Sequence, residues 1–505
     1  MIYRKLDALL LMSAVAITRF AFRSHYLYDI DSVNFALGMQ HFDPRVHQPH
    51  PPGYFLYISL GRLLNLLFHD ANLALVVLSI VASCGTVALI YFLAWDWFDQ
   101  RAARFAGLLF LFSPLAWFHG TVALTYSVEA FFSALLGYLC WRVYCGRRSY
   151  IVPAAVTLGF AAGVRPSSCL FLAPLLLFAL SRTKMKGILV GVMALAVVVC
   201  SWFLPMISAA GGSRAYFSAL LSLWQAVPAK DTVFNSSPAT SIGRALTIVF
   251  IYFLVFGAAS LAPLRWPRGI DASDRGKKIF SIIWIAPALC FFTFIFLKFV
   301  NSGYLLIMAP AACVWLGSAI SDWYENGAGS KAFKVAVMAL GAAINVVIFI
   351  AAPLYCSYRS VRRFEAELQD VVTAFLQVAP AGNTLIVGFD SHFLGYRHAG
   401  YYLPAYLTLQ SPAVRLRDGT RIFAMQGRGT RLLSELPVGP WTQFVFFPLP
   451  NQGADYKEHL REAMNKLPGG SLRTISANGH DFVLGPISDL PLLFPRASTT
   501  TKQGR

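Results

Sequence analysis

Residues 72–94 read NLALVVLSIVASCGTVALIYFLA, and they decide the fold class. No Asp, Glu, Lys or Arg interrupts these 23 residues. A bilayer crossing takes about 20 apolar residues in a helix, whereas a surface helix of a soluble domain carries a polar face. Further apolar stretches lie near 6–24, 103–118, 127–145, 150–164, 166–181, 187–209, 241–263, 279–297, 303–321 and 331–353. The composition agrees. Of 505 residues, 57% are hydrophobic and 13% charged, roughly half the charged share of a soluble domain. That excludes a soluble enzyme. Ordinary Gly and Pro content and 8 scattered Cys exclude collagen, a disordered chain and a disulfide scaffold. The expected fold is an α-helical polytopic membrane protein of about eleven transmembrane helices, with a small C-terminal α/β extramembrane domain.

The net charge of +18 would point to nucleic acid in a soluble protein. In a membrane protein, Lys and Arg gather in cytoplasmic loops, so no nucleic-acid partner is expected. The basic clusters Arg4/Lys5, Arg101/Arg104, Arg147/Arg148, Arg182/Lys184/Lys186, Arg265 to Lys278 and Lys331/Lys334 alternate with poorer loops. The alternation predicts a cytoplasmic N-terminus and an outer C-terminal region. It holds only if 54–68, with Arg62 and Asn65, lies at the interface or re-enters. The start, Tyr3-Arg4-Lys5 before an apolar run, reads as an uncleaved first helix, because no small-residue cleavage site follows.

Three parts follow: a membrane domain over 1–356 with an outer loop at 25–53, an α/β domain over 357–490, and a disordered tail over 491–505. In the second part, Arg359–Gln377 and Tyr456–Leu467 have helical patterning. Thr384–Phe389, Gln443–Phe447 and Asp481–Leu484 read as strands. No Cys follows Cys356, so this domain folds without disulfides. No internal repeat is evident, which argues against inverted-repeat transporters.

The chemistry concentrates in the outer loop. Residues 28–54 read YDIDSVNFALGMQHFDPRVHQPHPPGY. A short helix over 33–42 would place Phe35, Met39 and Phe42 on one face, lying on the membrane. Asp31 would open it as an N-cap; Ser32 could cap instead. A carboxylate here can equally be a general base that takes a proton from an attacking hydroxyl. Asp29 and Asp31 form a D-x-D that could hold a divalent ion, although no metal or other cofactor is expected. His50-Pro-Pro-Gly-Tyr54 is a rigid corner. His47 and His50 are candidate hydrogen-bond donors to a substrate phosphate, and Asn34 and Tyr54 are further substrate-binding candidates.

An acidic motif after the first span, a short helix, then His-Pro-Pro before the next apolar run resembles the GT-C membrane glycosyltransferases. The likeness is to the branch of protein O-mannosyltransferases and lipid A aminoarabinose transferases. Asp31 matches the branch's acidic pair at its Asp, with Ser32 where Glu is usual. Pro51-Pro52 match its prolines, with Gly53 where Leu is usual. Trp97-Phe-Asp-Gln-Arg-Ala-Ala103, then Ser113-Pro114, resembles the branch's basic turn. Leu124-Thr-Tyr-Ser-Val-Glu129 resembles the stretch opening the fourth span, with Glu129 at the second acidic position. The resemblance covers about residues 1–180. It implies transfer of a sugar from a polyprenyl-phosphate donor to an acceptor hydroxyl of a protein, lipid or glycan. Transfer would occur on the outer face, with inversion and without an obligatory metal, in a membrane such as a bacterial inner membrane. The resemblance implies Asp31 as base and Glu129 as the second catalytic carboxylate.

Ionisable residues at span ends are costly and mark function by default. Arg165, before Pro166, is a candidate phosphate contact or a membrane anchor. Lys298, with Tyr304 close behind, is a candidate for the lipid phosphate. Arg19, at the outer end of the first span, could meet a phosphate or a headgroup. Two rival readings are a transporter or flippase of lipid-linked substrates and a non-catalytic scaffold. The first predicts repeats and mid-membrane charge; the second leaves the crowded 28–54 loop unexplained.

Overall fold

The computed structural model describes residues 2–226, 243, 246, 250, 275–295, 299–416, 419–448, 454–468 and 470–494. The predicted span 241–263 lies almost wholly outside them. Four described helices are long and apolar enough to cross a membrane: Ala71–Trp97, Met185–Ala209, Arg275–Phe294 and Lys331–Ala351. Shorter apolar helices cover Phe55–Phe68 and Pro166–Leu180. At 14 residues, Phe55–Phe68 is about 21 Å long, less than the hydrocarbon thickness.

The chain forms two compact units. The first comprises Met1–His25, Pro52–Ser213 and Leu223–Val361. The stretch 103–118, read above as one span, is two helices, Gln100–Leu111 and Pro114–His119. Pro114 cannot continue a helical ladder; it opens the second helix instead, with Ser113 Oγ accepting from the Ala116 N–H at 3.2 Å. Arg19 caps the carbonyls this break frees, donating to the Leu111 oxygen at 2.8 Å, with its guanidinium over the Trp117 ring. The side chain is fully buried. That accounts for an Arg at this end of the first helix without a phosphate or headgroup. The stretch 303–321 also starts differently: a 3-10 run, Phe299–Ile307, precedes helix Ala309–Asn326. This last helix packs on Gln100–Leu111 through small residues. A side chain at Gly317 would sit 2.6 Å from the Ala102 oxygen, so the two backbones approach as small-residue interfaces in membranes allow.

The second unit comprises Tyr26–Pro51, Arg214–Ser222 and Arg362–Arg505. The outer loop, expected to belong with the spans, therefore packs as part of the tail unit. Its core is a mixed sheet in the order β3-β4-β2-β1-β6-β8-β7, with β5 beside β4. The strands are β1 (Thr384–Phe389), β2 (Thr408–Ser411), β3 (Val414–Leu416), β4 (Gly419–Gln426), β5 (Gly429–Leu433), β6 (Gln443–Phe446), β7 (Arg473–Ala477) and β8 (His480–Pro486). β1 pairs parallel with β2 on one side and β6 on the other, and the remaining pairs are antiparallel. Every residue of β1 is buried, as expected of a central strand covered on both faces. Leu385, Val387, Phe389, Phe444 and Phe446 pack one face. Helix Tyr358–Val378 supplies Phe375, whose ring meets those of Tyr406 and Phe482. Leu493 and Phe494 join this core, so ordered chain extends past the boundary expected at 491. Residues 495–505 lie outside the described chain.

The loop helix also differs from expectation. It runs Ile30–Gln40, three residues earlier, and Ser32 to Met39 are all buried. No apolar face is left to lie on a membrane: helix Tyr396–Tyr402 and the loop's own return segment both pack on it. A side chain at Gly38 would meet Pro49 Cδ at 2.9 Å.

Candidate active site

The acidic loop starts from a division of labour between its two carboxylates. Asp29, in extended conformation, is the N-cap: its Oδ1 accepts the Asp31 backbone N–H at 2.8 Å. The cap role considered for Asp31 and Ser32 thus belongs to Asp29. Asp31 falls in the first helical turn, with 32% of its side chain exposed. Its Oδ1 lies 3.1 Å from His50 Nε2, and His50 Nδ1 lies 2.5 Å from the Pro51 carbonyl oxygen. A carbonyl only accepts, so Nδ1 carries a proton. The Nε2 contact orients Asp31.

Asp29 is more deeply placed. Burial, then the neighbouring Asp31 charge, pushes its pKa up to about 6. Its second oxygen faces His392 Nδ1 at 3.9 Å. The same residue's carbonyl accepts the Ile30 N–H at 2.9 Å. Among the described residues, no group of three or more His, Cys, Asp or Glu side chains has a metal-holding arrangement. His47, in left-handed conformation with φ 58°, lies against the Phe423 ring at a tilt, with ring centres 5.3 Å apart. Burial, then the Arg397 charge, pushes its pKa down to about 3, so it is neutral at physiological pH. Arg397 is itself buried, donating to Tyr396 Oη, Thr430 Oγ1 and the Val46 carbonyl at 2.7–2.9 Å. Asn34 is buried, and its Oδ1 has no hydrogen-bond partner among the described residues.

In the first unit, Glu129 and Arg165 come together. Glu129 opens helix Tyr126–Tyr144 and accepts Ser168 Oγ at 2.6 Å. Its other oxygen is 3.4 Å from Arg165 Nη1, and both side chains are buried. Arg165 links helices Ile151–Val164 and Pro166–Leu180. Its guanidinium lies 4.0, 4.9 and 5.9 Å from the Tyr304, Tyr126 and Tyr54 ring centres. Tyr54 and Tyr304, named from sequence as substrate contacts, thus stand around Arg165. Lys298 lies outside the described residues.

Sequence reasoning missed Ser168 and Tyr126 here, and Asp390, His392 and Arg397 in the tail. A polar, His-rich run directly after a fully buried strand was the available signal for the last three.

Residues 45–188 match the family model described as the protein O-mannosyl-transferase TMEM260 N-terminal domain. That range holds His47, His50, Glu129 and Arg165 and excludes Asp29 and Asp31. The fold is that of ArnT from Cupriavidus metallidurans. The crystal structure of ArnT bound to undecaprenyl phosphate superposes with a TM-score of 0.61 at 13% identity, covering 94% of this chain and 97% of that one. The apo ArnT structure gives 0.60, again at 13% identity and over 94% and 97% of the two chains. No curated protein matches the sequence. The resemblance to the GT-C enzymes stands, and the chain has their fold.

Proposed function

We propose that this chain is an integral-membrane glycosyltransferase that moves a sugar from a polyprenyl-phosphate donor to an acceptor hydroxyl on the outer face of the membrane. One observation carries the reading. Asp31 is a partly exposed carboxylate held by His50 at 3.1 Å, while the helix-capping task falls to Asp29. A base needs such an oriented carboxylate within reach of the acceptor. ArnT's structure with undecaprenyl phosphate and the O-mannosyl-transferase family model support a lipid-linked donor.

In the proposed step, Asp31 takes the proton of the acceptor hydroxyl as its oxygen attacks the anomeric carbon. The bond from that carbon to the phosphate oxygen breaks. The polyprenyl phosphate leaves with the electron pair, and the anomeric centre inverts. His50 keeps Asp31 in place. Asn34, buried in the loop helix, and His47, a neutral imidazole, are the proposed contacts to sugar hydroxyls. Glu129 and Arg165 act as one buried pair, with Tyr54 and Tyr304 around the guanidinium; Lys298 remains a candidate for the lipid phosphate. The proposed location is a membrane such as a bacterial inner membrane, with the catalytic loop and the tail outside.

Asp31→Asn tests the reading. The capping bond uses the Asp31 backbone N–H, so the substitution leaves the cap intact. Removing a positioned base costs about 10²–10⁴ in rate. Purified variant and wild type would be compared for release of polyprenyl phosphate from a mannosyl donor. A folded variant with near-wild-type release would overturn the assignment.

A further inference from the structure

The tail unit does more than stand beside the acidic loop. β1 is a central strand with parallel partners on both sides, β2 and β6. In open α/β sheets, groups that act on ligands gather at the carboxyl end of such a strand. Here that end continues into Asp390-Ser391-His392-Phe393, and helix Tyr396–Tyr402 follows. The acidic loop docks on this turn. Ile30 N–H donates to the His392 carbonyl, Leu27 N–H to Tyr402 Oη at 2.8 Å, and Tyr28 packs on Phe393 with ring centres 4.9 Å apart. The backbone contacts set where the loop sits. The His392 imidazole is then aimed at the Asp29 oxygen that the cap bond does not use.

We propose that His392 is a positioning residue of the acidic site: its carbonyl holds the Ile30 N–H and its imidazole faces the free oxygen of the buried Asp29 carboxylate, so that Asp29 is kept in the capping position and Asp31 is presented on a fixed backbone. The proposal rests on the activity proposed above. The titratable and charged groups of the surrounding segments are Asp31, His50 and the neutral His47 from the loop and Asp390 and Arg397 from the tail. His50 pairs with Asp31 and adds a weaker pull on Asp29 than His392 does, and Arg397 is held by Val46, Tyr396 and Thr430. Asp390, pushed up by burial, adds no cation. His392 has half its side chain in solvent and faces the Asp29 oxygen that the cap bond leaves open. A buried carboxylate beside another carboxylate otherwise takes the proton itself.

The test compares the pH–rate profiles of wild type, His392→Ala and His392→Lys, reading lipid-phosphate release. The carbonyl bond to Ile30 survives both substitutions, so docking is kept. At 3.9 Å across a half-exposed gap, losing the cation moves the acid limb of His392→Ala upward by roughly 0.5–1 pH unit. The two profiles meet near pH 8.5, where both carboxylates are ionised, and His392→Lys keeps the wild-type limb. Superimposable profiles overturn the proposal. So does an equal loss at every pH, which would mark a substrate contact instead. A second readout does not need activity. Asp29 changes charge near pH 6, so the Tm difference between wild type and His392→Ala changes with pH. If wild type releases no lipid phosphate, the activity reading fails. The Tm profile then decides His392, and a pH-independent difference or none at all refutes its role.

Discussion

Replacing Glu129 with Gln tests whether the buried pair of the first unit is structural. Gln keeps the volume and can still accept from Ser168, so the main change is a charge. At 3.4 Å the Coulomb attraction to Arg165 is about 5 kcal/mol at an effective dielectric constant of 20. Breaking a buried pair by removing one partner typically costs about 3–5 kcal/mol, because the other charge stays buried. The three tyrosine rings around the guanidinium offset part of this, each cation–π contact contributing about 0.5–2 kcal/mol. The expected loss for Glu129→Gln is therefore about 3 kcal/mol, and Arg165→Met should lose a similar amount. The double variant should lose much less than the sum, giving a coupling of roughly 2–3 kcal/mol. Tm in detergent or nanodiscs, with all four proteins measured under the same conditions, reads the cycle. Additive losses would refute the pair, and an unchanged Tm in Glu129→Gln would refute its structural role altogether.

Two further outcomes are expected. Asp29 has a folded pKa raised to about 6, above its unfolded value. Its stabilising contribution is thus present below about pH 4 and is lost as pH rises through about 6. Asn caps as well as Asp, so Asp29→Asn should stabilise the protein above pH 6 by about 2–3 kcal/mol, read as a higher Tm, and match wild type at pH 4; a constant difference across pH contradicts this. The alternation of basic loops predicts that reporter fusions at Gly146 and Gly382 fall on opposite sides of the membrane, with Gly382 outside. The same side for both would defeat the orientation and, with it, an outer-face reaction.

The sequence by itself determined that the chain is a polytopic membrane protein with an α/β tail. Uncharged runs as long as a bilayer have few soluble alternatives, and a strand such as Thr384–Phe389 needs no partner to be recognised as buried. It also singled out the 28–54 loop, since so many Asp, His, Asn and Gln residues between apolar spans have no packing purpose. Proline explains the helix break at Ser113-Pro114, which composition alone blurred into one span. Only the tertiary structure decided which carboxylate caps and which stays partly exposed, because capping depends on backbone angles at Asp29 and not on spacing. Only it joined Glu129 to Arg165 across 36 residues of chain and brought His392 to Asp29 from more than 350 residues away. Those contacts are long in sequence and short in space. Local patterning records which face of an element is buried, but a charge pair across the fold leaves no period to read.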